Sequence, residues 1–269
     1  MKITVLVDNQ TKIDRYFLGE PALSFLIEEE GKKVLFDTAY SDVVLKNTDS
    51  LGISLAEEMD IVISHGHNDH TGGLAKLQKA GLLRNKRVLA HPFAFCERRY
   101  EDDQIGSPLS KEDLEKVCTL MLERGPYQIT ENLTYLGEIP QYFDFEKRKD
   151  IGKIVFTDGE QMDYVMDDTA LVYQSHNGIV IITGCSHSGI CNIIEYAKHI
   201  CNENRVYAVI GGFHLFEVNE QLKKTISYFE KNHLKQIYPC HCVSFAAKAE
   251  INRSIAIKEV GVGDRYCFD

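Results

Sequence analysis

Residues 60–73 read DIVISHGHNDHTGG. The first part is a short apolar run typical of a buried strand, and the second part holds three histidines and one aspartate within six residues. Imidazole nitrogens and carboxylate oxygens are ligands for zinc, iron and manganese. Because residues two apart in an extended segment point the same way, His65 and His67 can bind one ion, while Asp69 and His70 can turn to a second. The stretch therefore predicts a metal site at the end of a strand.

Three further histidine groups follow predicted strands in the second half of the chain. They are GCSHSG at residues 184–189, GGFH at 211–214 and PCHC at 239–242. Ligands that are distant in sequence meet when the ends of their strands share one edge of a sheet. We therefore take His187, His214 and His241 as candidate site residues, whereas His176, His199 and His233 lie in a turn or on helices and are expected at the surface.

The apolar periodicity predicts an α/β protein. Residues 23–29 and 33–36 form a hairpin, as do 170–175 and 178–183, and helices are expected at 42–51, 72–80, 189–201, 219–231 and 245–251. Each half has antiparallel strands followed by helices. This pattern indicates two sheets packed face to face with helices outside, a four-layer αββα sandwich that forms a single domain over residues 1–269.

Residues 97–116 are the most polar segment of the chain. They form either a lid or insertion, or a solvated connection that leads to a surface helix with a capping box at Ser110 and Asp113. If the segment folds over the site, Arg98, Arg99 and Tyr100 would hold a phosphate. His91, which follows the predicted strand 87–90, is a second candidate for lining a substrate pocket. Residues 144–153 are expected to form a loop.

Composition excludes several classes of partner. The net charge is −10, from 40 acidic and 30 basic residues, and no basic stripe is present. Nucleic acid is therefore disfavoured as a main partner, whereas a small anionic substrate is not. No run approaches about 18 consecutive apolar residues, so no membrane-spanning helix is expected. The first ten residues, MKITVLVDNQ, resemble a strand and not a signal peptide.

Eight cysteines are spread along the chain and do not form a disulfide framework. We expect them to be mostly reduced and the protein to be cytoplasmic. Cys240 and Cys242 are separated by one residue, which is poor spacing for a redox or zinc-ribbon motif. We interpret them as small residues beside a histidine.

The motif at 65–73, together with Asp37 in Phe36-Asp37-Thr38, resembles the metallo-β-lactamase superfamily over nearly the whole chain. The details GCSHSG, GGFHL and HC resemble its branch of 7,8-dihydropterin-6-methyl-4-(β-D-ribofuranosyl)aminobenzene-5′-phosphate synthase-like metallo-hydrolases. The resemblance implies the αββα sandwich and one or two divalent ions, with zinc favoured over iron or manganese. It assigns the ligands as follows: His65, His67 and His187 for the first ion; Asp69, His70 and His241 for the second; and Asp37 as the residue that orients the loop.

One departure from the family pattern concerns the residue that bridges the ions. Many members place an aspartate between the last two ligand histidines, but no aspartate occurs between His187 and His241. His214 stands at the matching strand end. It can serve as an added ligand, as a proton donor or as a substrate contact.

These features predict a metal-dependent hydrolase, foremost of phosphoesters and phosphodiesterase-like, that acts on a small and phosphorylated molecule. Asp69 would orient the attacking water and His214 would protonate the leaving group. The alternatives are a lactonase, thioesterase or amidase, a synthase of the kind that names the branch, and a non-catalytic sensor. A di-iron reductase is disfavoured, because His67 stands where those proteins carry glutamate and no flavin domain is present.

Overall fold

The computed structural model describes residues 1–269. The chain forms two successive sets of strands and helices, and each set begins with antiparallel strands. The strands in chain order are β1 (Lys2–Val7), β2 (Ser24–Glu29), β3 (Lys32–Phe36), β4 (Asp60–Val62), β5 (Arg87–Ala90), β6 (Glu97–Tyr100), β7 (Asp103–Gln104), β8 (Thr119–Leu122), β9 (Tyr127–Gln128), β10 (Leu133–Tyr135), β11 (Lys153–Phe156), β12 (Gly159–Met162), β13 (Ala170–Ser175), β14 (Gly178–Thr183), β15 (Val206–Gly211), β16 (Gln236–Pro239) and β17 (Arg265–Cys267).

The helices are α1 (Val43–Ser50), α2 (Asn68–Thr71), α3 (Gly73–Lys79), α4 (Lys111–Glu115), α5 (Ile190–Cys201), α6 (Glu220–Lys231) and α7 (Phe245–Ser254), and a 3₁₀ turn covers Asp144–Glu146. The two longest helices, α5 and α6, have 12 residues each. None of the helices is both long enough and apolar enough to cross a bilayer.

Backbone contacts divide the chain into two compact units that are interleaved in sequence. The first unit comprises Met1–Arg124, Asp150–Asp167 and Gly261–Cys267, and the second comprises Gly125–Lys149, Asp168–Val260 and Phe268–Asp269. Neither unit corresponds to one continuous stretch of the chain, and the single domain over residues 1–269 remains a prediction.

The first unit is built on a seven-stranded sheet with the order β17-β1-β2-β3-β4-β5-β8. Strands β1 to β3 pair antiparallel, whereas β3, β4, β5 and β8 pair parallel. Val44 of α1 and Leu74 of α3 pack with Ile61 of β4 in one buried core. Because β3 and β4 are parallel neighbours, Asp37 after β3 and residues 64–70 after β4 lie at the same edge of the sheet.

The segment 97–116, expected as a lid or insertion, forms regular structure within the first unit. Strand β6 pairs with β7 and with β11 in a four-stranded sheet of order β12-β11-β6-β7. Helix α4 begins at the capping box of Ser110 and Asp113, so that prediction is confirmed. Movement of the segment as a lid remains a prediction.

The second unit contains a six-stranded sheet with the order β16-β15-β14-β13-β10-β9. Strands β14, β15 and β16 are parallel, and helices α5, α6 and α7 contribute Ile193, Phe229 and Ala247 to its core. The carboxyl ends of the three parallel strands share an edge. The segments 184–189 and 212–214, which follow β14 and β15, therefore start side by side, next to the segment that follows β16.

Sequence periodicity finds the long elements and misses the short ones. Strands β13 and β14 have the predicted bounds, and α1, α3, α5 and α6 each lie within a residue of theirs at either end. Strands β6 to β12 and β17 are absent from the prediction. Each has four residues or fewer, and all but β10 have at most one buried residue, so they show no apolar run. The equally short β4, β5 and β16 are mostly buried and are recognised.

Glu146, in the region expected to be a loop, caps a helix of the second unit. Its buried carboxylate accepts hydrogen bonds from the backbone N of Cys191 at 3.1 Å and of Asn192 at 2.9 Å, in the first turn of α5. These amides have no partner inside the helix. Gly189, at φ +92°, leaves room for the contact, because a Cβ there would lie 2.5 Å from the Cβ of Glu146.

We expect Glu146→Ala to lower the free energy of unfolding by about 1–3 kcal/mol, because two buried amides lose their acceptor. Asp144→Ala is the matched control, since Asp144 is an exposed acid in the same turn, and it should change stability by less than about 0.5 kcal/mol. Urea unfolding followed by circular dichroism measures both. Equal midpoints for the two variants would contradict the capping role.

Candidate metal centre

Two imidazole nitrogens face each other in the loop after β4. His65 Nε2 and His67 Nδ1 lie 3.0 Å apart, and both side chains are buried. Two nitrogen ligands of one tetrahedral zinc ion, each about 2 Å from the metal, lie roughly 3.3 Å apart. The pair therefore has close to the separation that one ion requires. Burial, assisted by the charge of Arg98, lowers the pKa of His67 to about 4, so the neutral ring offers a lone pair at pH 7.

A second donor pair is formed by His70 and Asp69. His70 Nε2 lies 3.4 Å from Asp69 Oδ2, while His70 Nδ1 lies 2.6 Å from Asp37 Oδ2. Because Nδ1 is engaged by a buried carboxylate, Nε2 is the nitrogen that can meet an ion. Burial opposes protonation of His70, but the charges of Asp69 and Asp37 raise its pKa well above the usual value.

Asp37 holds the start of the histidine loop. Its carboxylate accepts hydrogen bonds from the backbone N and from the hydroxyl of Ser64, both at 2.7 Å, in addition to the contact with His70. The residue follows β3 and adopts φ +57°. A residue that orients the loop requires contacts of this kind, and orientation of the loop is the role that the resemblance assigns to Asp37.

A buried ion-pair cluster holds the middle of the same loop. Gly66 N donates to Asp167 Oδ2 at 2.7 Å. Arg98 donates through Nη2 to Asp167 Oδ1 at 2.6 Å and through Nε to Asp163 Oδ2 at 2.7 Å. A Cβ at position 66 would lie 1.9 Å from Arg98 Nη1 and 2.2 Å from the carbonyl oxygen of Ala94. Only glycine therefore fits at position 66, where the loop passes the cluster.

The structure corrects the role predicted for Arg98. Its side chain is fully buried and bonded to two carboxylates, so it positions the loop and does not face a substrate. The polar composition of the segment had suggested a solvated position, but along β6 only Arg98 turns inward. Arg99 pairs with exposed Glu97, and Tyr100 is also exposed. Contact of either residue with substrate remains a prediction.

His91, the other predicted pocket residue, is buried, and its Nδ1 accepts a hydrogen bond from the backbone N of Phe93 at 3.1 Å. Asp163 and Asp167 were not predicted from the sequence as residues that hold the site. The available signal was a pair of acids, Asp167 and Asp168, directly before the apolar strand β13, since acids beside a buried strand need partners.

In the second unit, the loops after β14 and β15 bring two histidines together. The ring centroids of His187 and His214 lie 4.3 Å apart at an angle of 52°. The loop that carries His187 is held by buried Asp168, which accepts from the backbone N of Ser188 at 2.9 Å and from its hydroxyl. His241, in the loop after β16, is buried and adopts φ +51°.

Two thiols of the second unit lie beside His214. One ligand atom each of Cys185, His214 and Cys242 falls within 4.8 Å of the other two. The thiol of Cys242 lies 3.4 Å from the carbonyl oxygen of Cys185, to which it can donate, and 3.4 Å from the backbone N of His214, from which it can accept. Sequence spacing gave Cys240 and Cys242 a packing role only. Cys242 belongs to this group of donors, whereas Cys240 does not.

Each unit thus gathers a part of the predicted site. The first holds His65, His67, Asp69 and His70 together, and the second holds His187 with His214. The six-ligand set implied by the resemblance draws on both units and remains a prediction.

Comparison with known proteins shows the family to which the chain belongs. The sequence profile of the metallo-β-lactamase superfamily matches residues 18–198. The chain is 35% identical to 7,8-dihydropterin-6-methyl-4-(β-D-ribofuranosyl)-aminobenzene-5′-phosphate synthase of Methanocaldococcus jannaschii, over 92% of this chain and 89% of that one.

Among solved structures, a metal-dependent hydrolase of the β-lactamase superfamily, Tm1679, superimposes with a TM-score of 0.84 at 31% identity over 100% of both chains. A diphosphatase of the PhnP family gives a TM-score of 0.56 at 15% identity over 100% of this chain and 98% of that one, which is a likeness of fold alone. The fold expected from the sequence is confirmed.

The Arg98 cluster gives a direct test of how the loop is held. Arg98→Gln should lower the free energy of unfolding by about 3–5 kcal/mol, because two buried carboxylates lose their cation. It should also weaken metal binding by about 10- to 100-fold, since Asp167 then holds Gly66 less firmly. Urea unfolding of metal-free protein and competition with a chelator measure the two effects.

Arg99→Gln is the matched control, because Arg99 is the next residue on the same strand and is exposed. It should change stability by less than about 0.5 kcal/mol and leave metal affinity unchanged. Equal effects of the two substitutions would show that the buried cluster does not position the loop.

Proposed function

Because the chain belongs to the metallo-β-lactamase superfamily, we propose that it is a metal-dependent hydrolase of phosphoesters, acting on a small phosphorylated molecule. The observation that carries this proposal is the donor geometry of the first unit. Ring nitrogens of His65 and His67 lie 3.0 Å apart, and a nitrogen of His70 lies 3.4 Å from an oxygen of Asp69.

In this proposal His65, His67 and His187 hold a first divalent ion, and Asp69, His70 and His241 hold a second. The preferred ion is zinc, because the donors are mostly imidazoles, and iron or manganese suits the same ligands. When bound, such ions supply positive charge and an acidified water. The proposal is supported by the burial of His65, His67, His70 and His241, since buried polar side chains need partners such as a metal ion.

Two side chains carry out the remaining steps, which are orientation of the water and transfer of a proton. Asp69 accepts a hydrogen bond from the attacking water through the oxygen that is not engaged by an ion, and so orients that water toward phosphorus. His214 donates a proton to the leaving oxygen through Nε2. Its Nδ1 is buried among the neighbouring side chains and hydrogen-bonded to none of them, so Nε2 is the nitrogen that is left for proton transfer.

A phosphorylated substrate is favoured over a carbon ester by one relative. The archaeal protein that is 35% identical is named for a product that carries a ribofuranosyl 5′-phosphate. Similar sequences over nearly the full length of both chains commonly recognise related groups. A phosphate on the substrate is therefore the shared chemical feature that we carry over to this chain.

The same relative supports a second candidate, a synthase that joins a dihydropterin to a ribofuranosyl-aminobenzene phosphate. The support is its printed name and the 92% coverage of this chain. Incubation with the two halves, followed by mass spectrometry, tests this candidate. Formation of the joined product without hydrolysis of simple phosphodiesters would replace the hydrolase by the synthase.

The hydrolase is tested on protein purified without added metal. We expect about two ions per chain by elemental analysis and turnover of bis(p-nitrophenyl) phosphate in the same sample. His67→Ala should reduce turnover to background and lower the metal content, because one ion loses a ligand. His176→Ala is the control, since His176 is exposed in the turn between β13 and β14, and it should behave like the wild type.

Chelation should abolish turnover, and zinc, manganese or iron should restore it. Failure of all three ions to support hydrolysis of the phosphodiester, with activity on a lactone or thioester instead, would reject the phosphoesterase. Failure on every ester, with metal still bound, would favour a sensor.

A further inference from the structure

We propose that Cys185, His214 and Cys242 form a metal-binding set of soft donors in the second unit, suited to a thiophilic divalent ion such as zinc. None of the three is among the six ligands assigned by the resemblance, so the set goes beyond the proposed function, although a ligand atom of Cys185 also lies within 4.8 Å of one of His187 and of one of His241. It stands where the family commonly has a bridging aspartate and this chain has Phe213-His214.

The first argument is the separation of the donor atoms. One ligand atom of each residue lies within 4.8 Å of the other two. Zinc–sulfur bonds of about 2.3 Å place two thiolates of a tetrahedral ion roughly 3.8 Å apart. Small rotations of the side chains are therefore enough to close the three donors around an ion. Two thiolates and one imidazole are also a ligand set that binds zinc while leaving a fourth position open.

The second argument is the state of the imidazole. His214 Nδ1 is buried and has no hydrogen-bond partner, although buried polar atoms are nearly always satisfied. The residue also adopts φ +50°, a conformation that a side chain other than glycine rarely takes and that tends to mark functional sites. An ion at Nδ1 would satisfy this atom.

The third argument is the space reserved for the thiols. A Cβ at position 212 would lie 2.4 Å from Cys242 Sγ and 2.5 Å from the carbonyl oxygen of Gly184. Gly212 therefore makes room for the Cys242 side chain between the loops after β14 and β15. Both cysteines are buried and neither forms a disulfide, so they are shielded from solvent oxidants. On binding, each thiol loses its proton to solvent and its sulfur forms one bond to the ion, with no change of oxidation state.

Cobalt(II) alone is the probe, because thiolate ligands give it a near-ultraviolet charge-transfer band that imidazole and carboxylate ligands do not. Metal-free protein kept under reductant is titrated with Co²⁺. We expect the band in the wild type, a weaker band in Cys185→Ser and in Cys242→Ser, and none in the double variant. His214→Ala should keep the band and bind cobalt at least about tenfold more weakly, as the loss of a metal-supporting group does.

Cys240→Ser is the matched control. It is a buried thiol on the other side of His241 and lies outside the donor group, so its band should equal that of the wild type. X-ray absorption of the zinc-loaded wild type needs no variant and should show sulfur at about 2.3 Å. This measurement decides the matter if a serine variant fails to fold.

The proposal is overturned by the absence of a charge-transfer band, by a band of full strength in either single serine variant, or by a Cys185–Cys242 disulfide in the purified protein. His67→Ala separates it from the proposed function, because that substitution should abolish hydrolysis and leave the thiolate band. A band without phosphodiesterase activity in the wild type would retain the soft site and reject the hydrolase, and hydrolysis without a band would do the reverse.

Discussion

Buried carboxylates that bind the backbone of the histidine loops are the interaction on which the candidate site depends. Asp37, Asp167 and Asp168 are each at most 1% exposed, and each accepts a hydrogen bond from a loop amide: Ser64 N, Gly66 N and Ser188 N respectively. A buried carboxylate is costly without hydrogen bonds, and the loop amides supply such bonds to all three residues. These bonds therefore hold the loops, and the loops orient the histidines that they carry.

This arrangement also explains why several residues other than glycine adopt left-handed backbone conformations at strand ends. Asp37, Ser186, His214 and His241 all have φ between +50° and +63°, and each follows a parallel strand closely. Such conformations are unfavourable by about 1 kcal/mol or more. They persist where surrounding contacts outweigh that cost, as the hydrogen bond from Ser186 to the carbonyl oxygen of Gly212 at 2.6 Å does. At these positions the chain turns sharply at the edge of its own sheet.

The sequence predicts the fold class and the donors of the first unit because both depend on local patterns. A short apolar strand followed by His65–His70 is readable within a dozen residues, and the longer helices and strands show their period directly. The surroundings of Arg98 and of Cys242 are not predicted, for the opposite reason. Arg98 meets Asp167 across 69 residues and Cys242 meets Cys185 across 57. Tertiary packing decides whether such a charged or small side chain is exposed to solvent or buried. Neither residue spacing nor composition reports contacts between residues so far apart in sequence.

The negative charge of the first unit's site affects how an anionic substrate would bind. The protein has a net charge of −10. Asp163 and Asp167 pair with the guanidinium of Arg98, whereas Asp37 and Asp69 contact His70. Without ions this surrounding would repel a phosphate. Two divalent cations would reverse its sign locally, because a bound metal is often the largest charge in a site. In an acidic chain whose one buried arginine is already engaged by carboxylates, attraction of a phosphorylated substrate therefore has to come from the metal ions themselves, and substrate affinity and metal occupancy should be tightly linked.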